Sequence, residues 1–109
     1  MITAIFKKKC DDVISFNIKG HADSVKDGYD LVCCAVSSIS ITIANGITEI
    51  AKVNSSIHMD DGFLSLSLEN NSLEHRKKCQ MLMKTMVLGL KSIEKSHGEY
   101  INVIVEEVE

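Results

Sequence analysis

A histidine and two neighbouring cysteines provide residue types that can perform nucleophilic catalysis. His21 directly follows Gly20, and Cys33 and Cys34 stand further along the chain, where an apolar segment begins. A cysteine in the first turn of a helix faces unpaired backbone N–H groups and the positive end of the helix dipole, and both favour the thiolate. A histidine beside it can accept the thiol proton and later protonate a leaving amine. The pattern predicts a cysteine peptidase site.

The two cysteines are predicted to lie at the start of a helix. Asp30 is a good N-cap residue, which makes Cys33 the third helical residue. Apolar residues then recur at steps of three or four, which is typical of a helix with one face toward a core. They are Val32, Val36, Ile39, Ile43, Ile47 and Ile50. Because isoleucine has only modest helix propensity, tertiary burial must hold this helix in place.

Cys33 is favoured over Cys34 as the nucleophile. Cys33 shares its side of the predicted helix with Ser37 and Ser40, which are small enough to leave room for the backbone of a ligand. Cys34 is rotated away by about 100° on a helix of roughly 3.6 residues per turn. We expect Cys34 to be a packing residue or an incidental thiol, and a redox switch built on Cys33 and Cys34 is an alternative.

The residues before the helix are predicted to form two strands and a loop. Residues 2–9 and 13–19 alternate apolar and polar side chains, which indicates half-buried strands. Gly20 ends the second strand and leaves His21 just past it. Residues 22–29 are polar and show no period, so they predict a loop in which Gly28 satisfies a turn or serves as a hinge.

The second half of the chain is predicted to contain two strands, a helix and a last strand. Residues 56–59 and 63–68 predict a hairpin whose Asp-Gly turn ends at Gly62. Asn71 and Glu74 resemble a capping box at the start of the second helix. Its apolar positions are Cys79, Leu82, Met83, Met86, Leu90 and Ile93. Gly98 ends this helix, and residues 100–105 predict a last strand.

The order ββαββαβ predicts an α+β fold. We expect residues 1–109 to form a single domain, with a mixed sheet packed against two long helices. An exposed sheet edge or an apolar strand face would be a natural place for a second copy to pair, so we expect a homodimer.

Composition and charge exclude several classes of partner. The net charge of −3 and the single arginine, Arg76, argue against direct binding of nucleic acid and favour a basic protein partner.

No apolar run is expected to reach the roughly 18 residues of a membrane span. The first residues, MITAIFKKKC, do not look like a secretory signal, and cysteines without an export signal indicate a cytoplasmic, reducing location.

No metal ion or other cofactor is expected, because the histidines and cysteines lack zinc-ligand spacing. We expect Cys10 and Cys79 to be small buried residues of the core. The histidines other than His21 are expected on the surface; they are His58, His75 and His97.

The chain resembles the bacterial ribosomal-processing cysteine protease family, usually called Prp. The family pattern is a GHA element after a strand, a loop ending in G-x-D, and V-C-A-A-V-S at the start of a helix. In this sequence those elements read Gly20-His21-Ala22, Gly28-Tyr29-Asp30 and Val32-Cys33-Cys34-Ala35-Val36-Ser37. The chain departs from the pattern at Cys34, where the family usually has alanine.

The resemblance implies a function and a site. It assigns His21 and Cys33 to the catalytic dyad of the family, and it places Gly20, Ala22, Gly28, Asp30, Cys34 and Ser37 in the surrounding motif. Members of the family are implied to remove a short N-terminal extension from a large-subunit ribosomal protein, the twenty-seventh of its series. Cleavage follows a pair of aromatic residues, and the enzymes are implied to be homodimers. The alternative is a dimeric, ribosome-associated module that binds a peptide without cutting it.

Overall fold

A five-stranded mixed sheet forms the centre of the fold in the computed structural model, which describes residues 1–21 and 31–109. The elements are β1 (Ile2–Lys9), β2 (Asp12–Lys19), α1 (Leu31–Asn45), a π-helical turn (Gly46–Ile50), β3 (Ser56–Asp60), β4 (Phe63–Ser67), α2 (Leu73–Lys78), α3 (Gln80–His97) and β5 (Ile101–Glu107). The strand order is β3-β4-β2-β1-β5. Only the β1–β5 pair is parallel among these strands, so the predicted α+β class with a mixed sheet is confirmed.

The core lies between one face of the sheet and the helices α1 and α3. Phe6 and Phe16 face each other across β1 and β2, with ring centroids 6.2 Å apart. From the helix side, Val36 of α1 and Met86 of α3 are fully buried in the same cluster. The alternation of apolar and polar residues in the strands therefore predicted correctly which side of the sheet is covered.

The pairing of β2 with β4 decides where the end of β2 lies. These strands are far apart in sequence, yet Lys19 at the end of β2 pairs with Phe63 at the start of β4. As a result, Gly20 and His21, which follow β2, lie beside the β3–β4 turn. The first turn of α1 also lies near the β3–β4 turn.

The second helix begins one residue later than predicted and consists of two pieces. Ser72 is the N-cap, and its side chain accepts a hydrogen bond from the backbone N–H of His75. Asn71, the predicted cap, donates its side-chain amide to the carbonyl of Asn54 instead. The helix is interrupted at Cys79, whose N–H donates to the carbonyl three residues back, at Arg76.

Two predictions of burial are wrong. The helical spacing predicts Ile50 on the core face of α1, but it is 81% exposed because the chain changes to a π-helical turn that alters the angle between successive side chains. Cys10 was expected in the core, but it occupies the β1–β2 turn at φ +57° and is exposed. Cys79 is buried as expected.

One helical segment is long and apolar enough to span a membrane, although no apolar run of that length was expected from the sequence. Leu31–Ile50 contains a window with a mean hydropathy of 1.7, so it passes a test based on length and composition alone. Core helices of globular domains pass the same test. Here Val36 and Ile47 are fully buried against the sheet and α3, as expected of a core helix.

Candidate active site

The position of His21 follows from the glycine before it. Gly20 has φ +96°, a conformation that side chains other than glycine rarely adopt, and a Cβ there would overlap the carbonyl oxygen of Met1. The N–H of Gly20 donates a 2.9 Å hydrogen bond to the carbonyl of Gly62 in the β3–β4 turn. The chain is therefore fixed to that turn just before His21, whose side chain is exposed to solvent.

The position of Cys33 follows from the start of α1. The described helix begins at Leu31, so Cys33 is its third residue and lies in the first turn, which carries no acidic side chain. Cys33 is half-buried, and Val36, three residues further on, is fully buried and anchors that end of the helix to the core. The first-turn N–H groups of a helix lack acceptors within it, so they can bind developing negative charge near the sulfur.

The histidine and the cysteine come together across the intervening segment. The Nδ1 atom of His21 lies 3.8 Å from the Sγ atom of Cys33. This separation is within hydrogen-bonding reach for a sulfur atom, and Nδ1 is the ring nitrogen that faces the thiol. The two side chains that the sequence selected are thus neighbours in space.

A cleft of about 250 Å³ opens beside this pair. One wall is α1, through Cys33, Ser37 and Ser40, the small residues that the sequence places on one side of that helix. The hydroxyl of buried Ser40 donates to the carbonyl of Val36, so it is satisfied within the helix. The apolar lining consists of Ile2, Ile18, Val36, Ile41, Met59, Phe63 and Leu64.

Cys34 lies apart from the cleft. It is exposed, and it is absent from the residues that line the cavity beside Cys33. This placement agrees with its predicted rotation away from the stripe that Cys33 shares with Ser37. The geometry therefore gives Cys33 the contact with His21 that Cys34 lacks.

Part of the predicted site lies outside the described residues. Ala22, Gly28 and Asp30 belong to this part, as does the predicted loop of residues 22–29. Gly20, His21, Cys33 and Ser37 all line the cleft.

The second wall of the cleft was missed by the sequence analysis. It is the β3–β4 turn, which contributes Met59, Asp60, Asp61, Gly62 and Phe63. The Asp-Gly signal predicted the turn itself, but nothing in the local sequence indicates that β4 pairs with β2 and so brings the turn to His21. The sequence contains no direct signal for this wall. The glycine at position 62 fits the turn by itself, and its closeness to His21 becomes visible only in the folded structure.

Among the described residues, the histidines and cysteines other than His21 and Cys33 do not line the cleft. Within residues 1–21 and 31–109, no three His, Cys, Asp or Glu side chains are grouped so that they could hold a metal ion. His58, His75 and His97 are exposed, as predicted. Cys79 is enclosed in the core, where desolvation raises the pKa of its thiol and the charge of Lys78 opposes that rise.

Comparison with known proteins identifies relatives along nearly the whole chain. The family model described as Cysteine protease Prp matches residues 1–102. The ribosomal processing cysteine protease Prp of Bacillus subtilis is 28% identical over 107 residues, which cover 94% of this chain and 96% of the relative. The Staphylococcus aureus protein of the same name is 30% identical over 105 residues, covering 94% of this chain and 92% of the relative.

Solved structures agree with these matches. SMU.848 from Streptococcus mutans superposes with a TM-score of 0.88 at 28% identity, covering 99% of this chain and 96% of that one. The Staphylococcus aureus ribosomal processing protease Prp, in complex with a covalently linked product peptide, gives a TM-score of 0.84 at 26% identity, covering 97% and 100%. The family match, the relatives and the shared fold lead to one conclusion: this chain belongs to the Prp family of cysteine proteases.

Proposed function

We propose that this enzyme removes the short N-terminal extension of a large-subunit ribosomal protein, the twenty-seventh of its series, through a dyad of His21 and Cys33. The observation that carries the proposal is the 3.8 Å contact between Nδ1 of His21 and Sγ of Cys33 at the mouth of an apolar cleft. The relatives named above as ribosomal processing proteases support the choice of substrate class.

Cys33 acts as the nucleophile in this proposal. His21 accepts the thiol proton through Nδ1, and the thiolate of Cys33 attacks the carbonyl carbon of the scissile peptide bond. The resulting tetrahedral oxyanion is held by first-turn N–H groups of α1, each worth on the order of 3 kcal/mol in well-studied hydrolases. His21 then returns the proton to the leaving amine, and water releases the acyl group from the sulfur.

The cleft suits a peptide with apolar residues near the cut. Its lining combines aliphatic and aromatic side chains from both walls, such as Ile41 on α1 and Phe63 on β4, with a polar end at His21 and Cys33. Burial of apolar substrate side chains there would provide binding energy roughly in proportion to the area removed from water. A pair of aromatic residues before the scissile bond fits this lining.

Charge favours encounter with a ribosomal protein. The chain carries a net charge of −3, and ribosomal proteins that contact RNA need a basic surface. Attraction between the two raises the association rate, an effect that salt screens.

We further propose that residues 1–109 form one domain that acts as a cytoplasmic homodimer. The edge strand β3 is exposed along all of its residues, Ser56–Asp60, and among the described strands it pairs with β4 alone. Such an edge can pair with a second copy. Ala22, Gly28 and Asp30 enter the proposal through their motif positions alone.

The test is the mass of the precursor protein before and after incubation with the purified enzyme. We expect a shortened product with the wild type and with Cys34→Ala, and none with Cys33→Ala. Binding without shortening by the wild type would favour the peptide-binding module. Activity that follows Cys34, or that depends on oxidant, would favour the redox switch.

A further inference from the structure

Gly62, in the turn between β3 and β4, touches the side chain of His21. A Cβ atom built on Gly62 would lie 2.7 Å from Nε2 of the imidazole, 3.3 Å from Cδ2 and 3.4 Å from Cε1. Nε2 and Cε1 form the end of the ring farthest from its own backbone, and Cδ2 is the other neighbour of Nε2. The tip of the His21 ring therefore rests where any other residue at position 62 would place its side chain.

Turn geometry alone does not account for a glycine here. Gly62 has φ +68°, a left-handed conformation that asparagine and aspartate also tolerate. The steric condition is stricter, because every residue except glycine carries a Cβ. Position 62 therefore has to meet two requirements. The residue must adopt a positive φ, and it must lack a Cβ; only the lack of a Cβ involves His21.

The backbone of the turn and the backbone just before His21 cannot simply move apart. The N–H of Gly20 donates to the carbonyl of Gly62 at 2.9 Å, so the backbone before His21 is attached to the residue that its ring touches. On the ring itself, Nε2 faces Gly62 while Nδ1 faces Cys33 at 3.8 Å. The imidazole is held between the turn and the thiol.

We propose that Gly62 is a positioning residue for His21: its missing side chain lets the imidazole rest against the β3–β4 turn in the orientation that points Nδ1 at Cys33. The proposal rests on the His21–Cys33 dyad proposed above. Gly62 contributes no group to the chemistry, and it acts only through the orientation of the ring.

A side chain at position 62 should displace the ring while the fold persists. The atom that would clash is the far end of a surface side chain, which can rotate away more easily than backbone can shift. Misplacement of a reacting group by about 1 Å can cost on the order of 100-fold in rate. For Gly62→Ala we expect kcat to fall about 10- to 100-fold, with KM within about threefold of wild type.

Two comparisons distinguish displacement of the His21 ring from two other causes of lost activity, which are strain in the turn and obstruction of the cleft. Gly62→Asn relieves the strain of φ +68° but still carries a Cβ, so it should lose as much kcat as Gly62→Ala while unfolding at a higher temperature. If turn strain were the cause, Asn would restore the activity. If a Cβ merely obstructed the substrate, KM would rise and kcat would remain.

The most direct readout is the rate at which iodoacetamide, a small reagent that does not need the cleft, alkylates Cys33. It is measured by mass spectrometry in a Cys34→Ala background, so that the adjacent thiol does not react. Gly62→Ala should slow alkylation at neutral pH toward the rate of His21→Ala. When Gly62→Ala is combined with His21→Ala, the alkylation rate should not fall further, because the imidazole that Gly62→Ala displaces is absent.

The outcomes distinguish this inference from the proposed function. If Cys33→Ala or His21→Ala still cuts the precursor at the wild-type rate, the dyad is wrong. If both abolish cutting while Gly62→Ala and Gly62→Asn keep the wild-type kcat and alkylation rate, the dyad stands and the role of Gly62 is overturned. An equal slowing of alkylation by Gly62→Ala with and without His21 would also overturn it.

Discussion

Nδ1 of His21 lies 3.8 Å from Sγ of Cys33, and the two atoms are brought together by different parts of the fold. His21 is fixed from the sheet side, where Gly20 is bonded to the β3–β4 turn. Cys33 is fixed from the helix side, where buried Val36 holds the first turns of α1 against the core. The geometry of the pair is therefore a consequence of how α1 packs on the sheet.

Removal of the His21 imidazole should reduce turnover without loss of substrate binding. General acid–base catalysis by a positioned side chain contributes roughly 10²- to 10⁴-fold, so His21→Ala should lower kcat by at least about 100-fold. The matched control is His58→Ala, since His58 is exposed on β3 and does not line the cleft. Steady-state cleavage of a peptide copied from the precursor's extension gives both constants, and a kcat within threefold of wild type for His21→Ala would contradict the prediction.

The small-residue stripe on α1 should be needed for the substrate to enter. Ser37 is exposed and lines the cleft one helical turn after Cys33, so Ser37→Leu would fill the space without disturbing the core. We expect kcat/KM for the peptide to fall about 10-fold or more, mainly through KM. Ser38→Leu is the control, because Ser38 is also exposed but does not line the cleft. Equal losses in both variants would mean that the stripe has no special role.

The sequence predicted those parts of the fold that depend on local pattern. Strand alternation located β1 and β2, Asp-Gly located the turn at Gly62, and helical spacing located α1 and α3. The placement of Cys33 in the first turn of a helix also followed from local signals. These features need only hydrophobic periodicity and turn chemistry, which act over a few residues.

Features that depend on distant contacts were missed. Ile50 turns outward because of a π-helical turn that no propensity indicates, and Ser72 replaces Asn71 as the N-cap because Asn71 is engaged by the carbonyl of Asn54. The contact between Gly62 and His21 requires the pairing of β2 with β4, which sequence order does not reveal. The cleft wall opposite α1 could not be predicted either, because it also depends on the pairing of β2 with β4.

Gln80 should be important for stability, although it is far from the site. Its buried side chain accepts a 2.7 Å hydrogen bond from the N–H of Val13, and it donates to the carbonyls of Val13 and Arg76 at 3.0 and 2.9 Å. Gln80→Ala takes these partners from the N–H and the carbonyl of Val13, which costs about 1–3 kcal/mol per buried group, whereas the carbonyl of Arg76 keeps its hydrogen bond from the N–H of Cys79. We expect a loss of at least about 2 kcal/mol in the free energy of unfolding, measured by urea titration.

A nearby ion pair provides the comparison for Gln80. Lys77 donates to Asp12 at 2.9 Å, but the lysine side chain is 59% exposed. The lysine end of the pair is open to water, which limits what the pair contributes, so Lys77→Ala should cost less than Gln80→Ala, although it takes this partner from the carboxylate of Asp12, whose side chain is only 9% exposed. The reverse ranking would show that α2 and α3 are held to the β1–β2 hairpin by charge and not by the buried amide.

Cys79 should make the fold less stable in alkaline solution. Burial raises the pKa of its thiol above the ordinary value of a cysteine in an unfolded chain, so the unfolded chain loses this proton at a lower pH than the folded chain does. The contribution to stability is complete below the ordinary pKa and declines as pH rises toward the folded value. We expect the free energy of unfolding to fall more between pH 7 and pH 10 in the wild type than in Cys79→Ala. The other titrating groups are common to both proteins and cancel in this comparison, so parallel pH profiles would show that the buried thiol does not couple folding to pH.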